Sequence, residues 1–225
     1  MVINKFSKTG AYHKAVNKEN QDYVYWIEGR DFLSIMLADG ASTCEKGSEG
    51  ARLSCEAMAK VIKSEGGVFF NYPKEKIAYL LTEQILYCFE CNKAESSDIR
   101  EYGSTFALAF MEKKTGRTVL VNLGDGAVIS VTERGLSYLL KPKRYRGNPC
   151  LTTTKGAKKA IDVAACNLAL GDSILICSDG FLCQMAQDDI VSLLDSYDME
   201  GLNRKLSLVD NEDDCSYISF KRERK

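Results

Sequence analysis

Leu33-Ser34-Ile35-Met36-Leu37-Ala38-Asp39-Gly40 is an apolar run that stops abruptly at an Asp-Gly pair. A continuous apolar stretch bounded by turn residues predicts a buried strand, and Gly permits the tight backbone that lets a carbonyl join a cation shell. Residues 172–180, DSILICSDG, repeat the pattern and end in Asp179. One Asp-Gly after a strand is an ordinary turn signal. Two of near-identical form suggest buried strands that deliver carboxylates to one sheet edge. Asp22 in NQD, Asp125 in LGDG and Asp213 in EDDCS are further acids at strand ends or tight turns. Like charges gathered at low dielectric repel, and a hard divalent cation offsets that repulsion. No Cys/His set at zinc spacing competes, and oxygen-only ligands favour magnesium, manganese or calcium over zinc.

Working outward, NQDYV, LADGASTCEKGSEGARL, YGSTFALAF, VNLGDGAVISV, LGDSILICSDGF and DDCSYISF occur in order across residues 20–220. This ordered set resembles the protein phosphatase 2C family, the metal-dependent serine/threonine phosphatases, in its small bacterial form. The resemblance implies an α+β fold: a four-layer αββα sandwich of two antiparallel sheets flanked by pairs of helices. It also implies two Mn²⁺ or Mg²⁺ ions, with a third in many members. By that resemblance Asp39 bridges the two ions and the Gly40 carbonyl completes one shell. Asp179 and Asp213 are further ligands, Asp22 touches the metal-bound water, and Asp125 helps hold the third ion. Two divalent cations about 3.5–4 Å apart activate a shared water for in-line attack and screen a dianionic phosphate, so no covalent nucleophile is required.

The chain departs from the family pattern at several positions: Gln21 stands where many members have Glu, and Gly124-Asp125-Gly126-Ala127 keeps the carboxylate of the family's GDS-R pattern but drops its polar neighbours. Asn17 stands where bacterial members place a phosphate-clamping Arg, leaving Lys14 or Lys18 as point-charge substitutes. Cys44 stands where many members have a His suited to protonating the leaving alkoxide. His13, the only histidine, lies nine residues before Asp22 and could fold over the site, while its position near the terminus favours a solvated loop residue. The functional expectation is hydrolysis of phosphoserine and phosphothreonine in proteins phosphorylated by a cytosolic kinase. The missing Arg and His keep open a pseudophosphatase that binds phosphoproteins without turnover. A hydrolase of small phosphate esters is a third option.

Length and composition agree with one domain across residues 1–225, since nothing Pro- or Ser-rich divides the chain. Thirty Lys plus Arg balance 31 Asp plus Glu, which argues against nucleic acid as a partner. No stretch approaches the ~18 apolar residues of a membrane span and the N-terminus lacks a signal-peptide core, so a cytoplasmic protein is expected. Nine scattered cysteines fit reduced thiols, and Cys88/Cys91 read as helix positions rather than a redox pair.

Strand hairpins are expected around Arg30-Asp31, the Lys-Thr-Gly turn at 114–116 and Glu133-Arg134-Gly135. Helical spacing covers Ser48–Ser64 and Lys74–Lys93, with Pro73 at the start of the second, and a further pair of helices is expected near residues 181–206. Residues 141–159 carry seven basic residues and no acidic ones, and read as a mobile loop. The family's flap lies in the corresponding place. Lys141, Lys143, Arg144 and Arg146 are accordingly expected to help hold a phosphorylated protein, with a plain solvated loop as the alternative. The basic end KRERK reads as a solvated tail.

Overall fold

Residues 33–38 are all buried, as their unbroken apolar run requires, because the strand they form is covered on both faces. The computed structural model describes residues 1–185 and 187–223. Its first half runs β1 (Val2–Lys8), α1 (Ala11–Ala15), β2 (Asp22–Glu28), β3 (Phe32–Asp39), α2 (Gly47–Phe69), α3 (Lys74–Asn92), β4 (Phe106–Glu112) and β5 (Arg117–Leu123). There follow β6 (Ala127–Thr132), β7 (Gly135–Leu140), the two-residue strands β8 (Arg144–Tyr145) and β9 (Asn148–Pro149), β10 (Asp162–Asn167) and β11 (Ser173–Cys177). Three helices, α4 (Asp179–Gln184), α5 (Asp188–Asp195) and α6 (Met199–Leu208), precede the last strand, β12 (Cys215–Lys221).

Two five-stranded sheets result, one in the order β1-β12-β11-β6-β7 and the other β10-β5-β4-β3-β2, with antiparallel pairing throughout. Side chains alternate across each strand. Leu33, Ile35 and Leu37 of β3 therefore meet Ile174, Ile176 and Ile218 of the facing sheet. Met36 and Ala38 turn the other way, into the layer formed with α2 and α3. On the far side Ile129, Leu175 and Tyr217 pack under Phe181, Ile190, Leu194 and Leu202 of α4 to α6. The order helices, sheet, sheet, helices is the expected αββα sandwich.

The structure differs from expectation in several places. The second helical layer holds three short helices instead of a pair, and Ala186, inside that stretch, lies outside the described residues. Helix α2 runs past Ser64 to Phe69 in spite of Gly66-Gly67, whose helix cost of about 2 kcal/mol is offset by burial of the Phe69 ring edge-on to Phe110. The basic segment 141–159 is partly ordered, with Arg144 paired to Pro149 and Tyr145 to Asn148 in a small ladder, and a 3₁₀ turn at Ala157–Lys159. Strand β1 was unanticipated because its residues, VINKFSK, lie at a half-exposed sheet edge and lack a clean apolar face. The KRERK end is not wholly a tail: Lys221 belongs to β12 and the Arg222 guanidinium donates to the carbonyls of Leu168 and Lys114, while Arg224 and Lys225 lie outside the described residues. Cys88 and Cys91 lie on α3, the first buried and the second exposed.

Candidate metal centre

Antiparallel order brings five strand ends to one edge of the sandwich. Asp39 ends β3 and Asp22 begins β2, directly opposite it in register. Asp125 occupies the turn by which the chain crosses from β5 to β6, hence from one sheet to the other. That turn needs glycine, since Gly124 has φ +103° and a Cβ there would come 2.5 Å from Thr105 Cγ2. Asn122 closes it by donating its amide to the Gly126 carbonyl at 3.0 Å. Asp179 opens α4 immediately after β11, and Asp213 lies just before β12.

Carboxylate oxygens of Asp39, Asp125 and Asp179 lie within 4.8 Å of one another. Asp213 and Gly40 line the same recess, of about 350 Å³, which adjoins a cleft of about 890 Å³. Gly40 is also sterically required, as a Cβ would stand 2.2 Å from the Gly47 carbonyl carbon. Its N–H donates to the Gln21 carbonyl at 3.0 Å, and Thr105 N–H donates to the Asp39 carbonyl at 2.8 Å, so the ligand-bearing turn is held on both sides.

Burial and mutual repulsion dominate the electrostatics. Burial, with Asp22, Asp179, Asp213 and Asp125 around it, holds the Asp39 carboxyl well above its ordinary range. Asp22 is pushed up to about 8, chiefly by burial, with Ser216 opposing and Asp214 adding. Both of its carboxylate oxygens are buried without a hydrogen-bond donor. Asp179 is raised to about 6 by burial and by Asp125 and Asp213, with Arg144 opposing. Such a set of hard, underpartnered oxygens fits divalent cations of the Mg²⁺ or Mn²⁺ kind. Positive charge already stands there: Arg144 Nε lies 2.8 Å from Asp125 Oδ2 and its Nη2 2.8 Å from Asp179 Oδ2.

Of the expected substrate-binding residues only Arg144 lines the two cavities. Lys18 donates to the Ser42 carbonyl at the rim, at 3.3 Å, Lys14 is exposed on α1, and the Arg146 guanidinium stacks over Tyr145. Asn17 is exposed in a left-handed turn with φ 54°, and Cys44 is turned inward, its thiol donating to the Arg100 carbonyl at 3.3 Å.

His13 is not solvated. It is 2% exposed, with Nδ1 2.9 Å from Asp214 Oδ2, and it lines both cavities. The same carboxylate accepts the backbone N–H groups of Gly10 at 2.8 Å and Gln21 at 2.6 Å, so Asp214 ties the N-terminal segment to the loop that carries Asp213. Sequence reasoning passed over Asp214. The doubled acid of EDDCS was a signal of it, but its partners lie about two hundred residues away in the chain.

A model of protein phosphatase 2C matches residues 9–209. Serine/threonine-protein phosphatase 3 of Escherichia coli (strain K12) is 30% identical over 146 residues, 60% of this chain. The chain spans 55% of that relative's length. A bacterial serine phosphatase superimposes with a TM-score of 0.77 at 16% identity, covering 100% of this chain and 99% of the other. Serine/threonine phosphatase Stp1 from Staphylococcus aureus gives 0.74 at 17%, covering 99% and 95%. With the match running through every strand that supplies a carboxylate except β12, the chain belongs to the protein phosphatase 2C family.

Proposed function

We propose that the chain hydrolyses phosphoserine and phosphothreonine esters of cytoplasmic proteins phosphorylated by a Ser/Thr kinase. The observation that carries this reading is the convergence of Asp39, Asp125 and Asp179 within 4.8 Å at the sheet ends, beside an open cleft. Two divalent cations, Mn²⁺ or Mg²⁺, with a third beside Asp125, would supply water activation and charge screening there. Asp39, opposite Asp22 in register and within reach of Asp125 and Asp179, would help hold both ions. Asp179, Asp213 and the Gly40 carbonyl would be further ligands. Asp22, buried opposite Asp39, would orient the water that the ions activate. Arg144, drawn away from Asp125 and Asp179, offers a planar fork that matches a phosphate bidentately. Lys14, Lys18 and Arg146 approach the substrate from outside the cleft.

Phosphate release from a phosphothreonine peptide, with Mn²⁺ titrated in, tests the reading. The native chain should turn over with metal, and Asp39→Asn should lose at least about 100-fold in kcat. Asn17 and Cys44 favour the second reading, a pseudophosphatase, which the absence of turnover with metal bound by calorimetry would establish. Faster hydrolysis of a small phosphate ester than of any phosphopeptide would instead indicate the small-ester hydrolase.

A further inference from the structure

We propose that the open end of the larger cleft is a subsite for a basic side chain, Lys or Arg, lying within a few residues of the phosphorylated position of the substrate. The inference rests on the phosphatase reading and names the sequence class it selects.

The cleft of about 890 Å³ has the carboxylates Asp179 and Asp213 at its reaction end and Asp210 and Glu212 at its outer end. Asp210 and Glu212 are exposed, and neither has a cationic partner among the described residues. The one Lys or Arg lining the cleft among the described residues, Arg144, is engaged with Asp125 and Asp179. Between the two outer acids lies Asn211, which is 5% exposed, lines the cleft, and has both its amide oxygen and its amide nitrogen without a hydrogen-bond partner. An amide left unpaired in that position takes an N–H at its oxygen, which a Lys or Arg head supplies, and a peptide carbonyl at its nitrogen.

The loop that carries these groups is held in place. Ala11 N–H donates to the Asn211 carbonyl at 2.7 Å and Tyr12 N–H to the Glu212 carbonyl at 3.0 Å, so the acids are presented from a fixed backbone. Tyr12 itself is 62% exposed on the cleft wall. An aromatic face beside carboxylates suits a long cationic side chain, whose methylene stem packs on the ring while its head meets the acids. A phosphopeptide binding here places its dianion at the reaction end and its cation at the outer end. A Glu or Asp at that position meets two unpaired like charges.

The test is a set of phosphothreonine peptides carrying Arg, Ala or Glu at each of three positions on either side, with kcat/KM measured for every member. At one or more positions Arg should exceed Glu by about five- to twentyfold, the size that two exposed ion pairs supply. Asp210→Lys/Glu212→Lys should invert the ratio, and Asp210→Asn/Glu212→Gln should bring it near one. Because each enzyme is compared with itself on paired peptides, a loss of folded protein in a variant leaves the ratio readable. Equal rates on all peptides, or an Arg preference that survives the charge reversal, would overturn the subsite alone. No hydrolysis of any peptide by the native chain with metal bound would overturn the phosphatase reading and the subsite together.

Discussion

At the scale of single residues, the decisive fact is that Asp22 and Asp39 face each other across two paired strands. Asp22 is raised from an ordinary 3.8 to about 8 in the fold. A carboxyl that holds its proton more tightly when folded stabilises the native state below its ordinary pKa. That stability is lost as pH rises toward the folded value, because the unfolded chain then releases the proton more easily. The unfolding free energy of the metal-free protein, read from urea denaturation, should therefore fall between pH 5 and pH 8, by on the order of a few kcal/mol, and the urea midpoint with it. Saturating Mn²⁺ should remove the fall and Asp22→Asn should flatten it. A level midpoint in the metal-free native chain would contradict this account. His13 shows the limit of reading residues singly. A lone histidine near a terminus is ordinarily solvated, and only the position of Asp214 makes its burial tolerable.

At the scale of elements, the sequence reads well where a strand and its turn are contiguous. The hairpins β2-β3, β4-β5 and β6-β7 were each legible because alternation and turn residues are local signals. The segment 141–159 was not, because its small ladder is stabilised from outside. Arg144 reaches Asp125 and Asp179, Lys143 pairs with Asp162, and Lys143 N–H donates to the Gly124 carbonyl. The guanidinium occupies two carboxylates of the candidate metal centre. Arg144→Gln should accordingly tighten Mn²⁺ binding about three- to tenfold by calorimetry, the worth of a half-exposed ion pair. The same variant should raise KM for a phosphopeptide. Unchanged metal affinity would mean that the arginine and the ions do not compete.

At the scale of the whole molecule, the carboxylates of the candidate metal centre are aligned by the apolar layer between the sheets. Ile218 is fully buried in that layer, on the strand that begins two residues after Asp213. Ile218→Ala should cost about 2–5 kcal/mol by urea denaturation. It should also weaken Mn²⁺ binding, since β12 sets the position of the loop before it. A stability loss below about 1 kcal/mol would mean that the layer collapses around the gap.

The sequence by itself determined that β3 and β11 are buried and that each runs into an Asp-Gly carboxylate, because an apolar run and the turn residue that ends it are neighbours in the chain. It also carried the family pattern, with Asn17 and Cys44 among its departures. Only the tertiary structure decided that Arg144 stands between Asp125 and Asp179, that His13 is buried against Asp214, and that the exposed Asp210 and Glu212 flank a buried Asn211 beside Tyr12. Those contacts join residues tens to hundreds of positions apart. Sheet order and strand register, not local propensity, bring them together, and both are settled by how the entire chain packs its apolar layers.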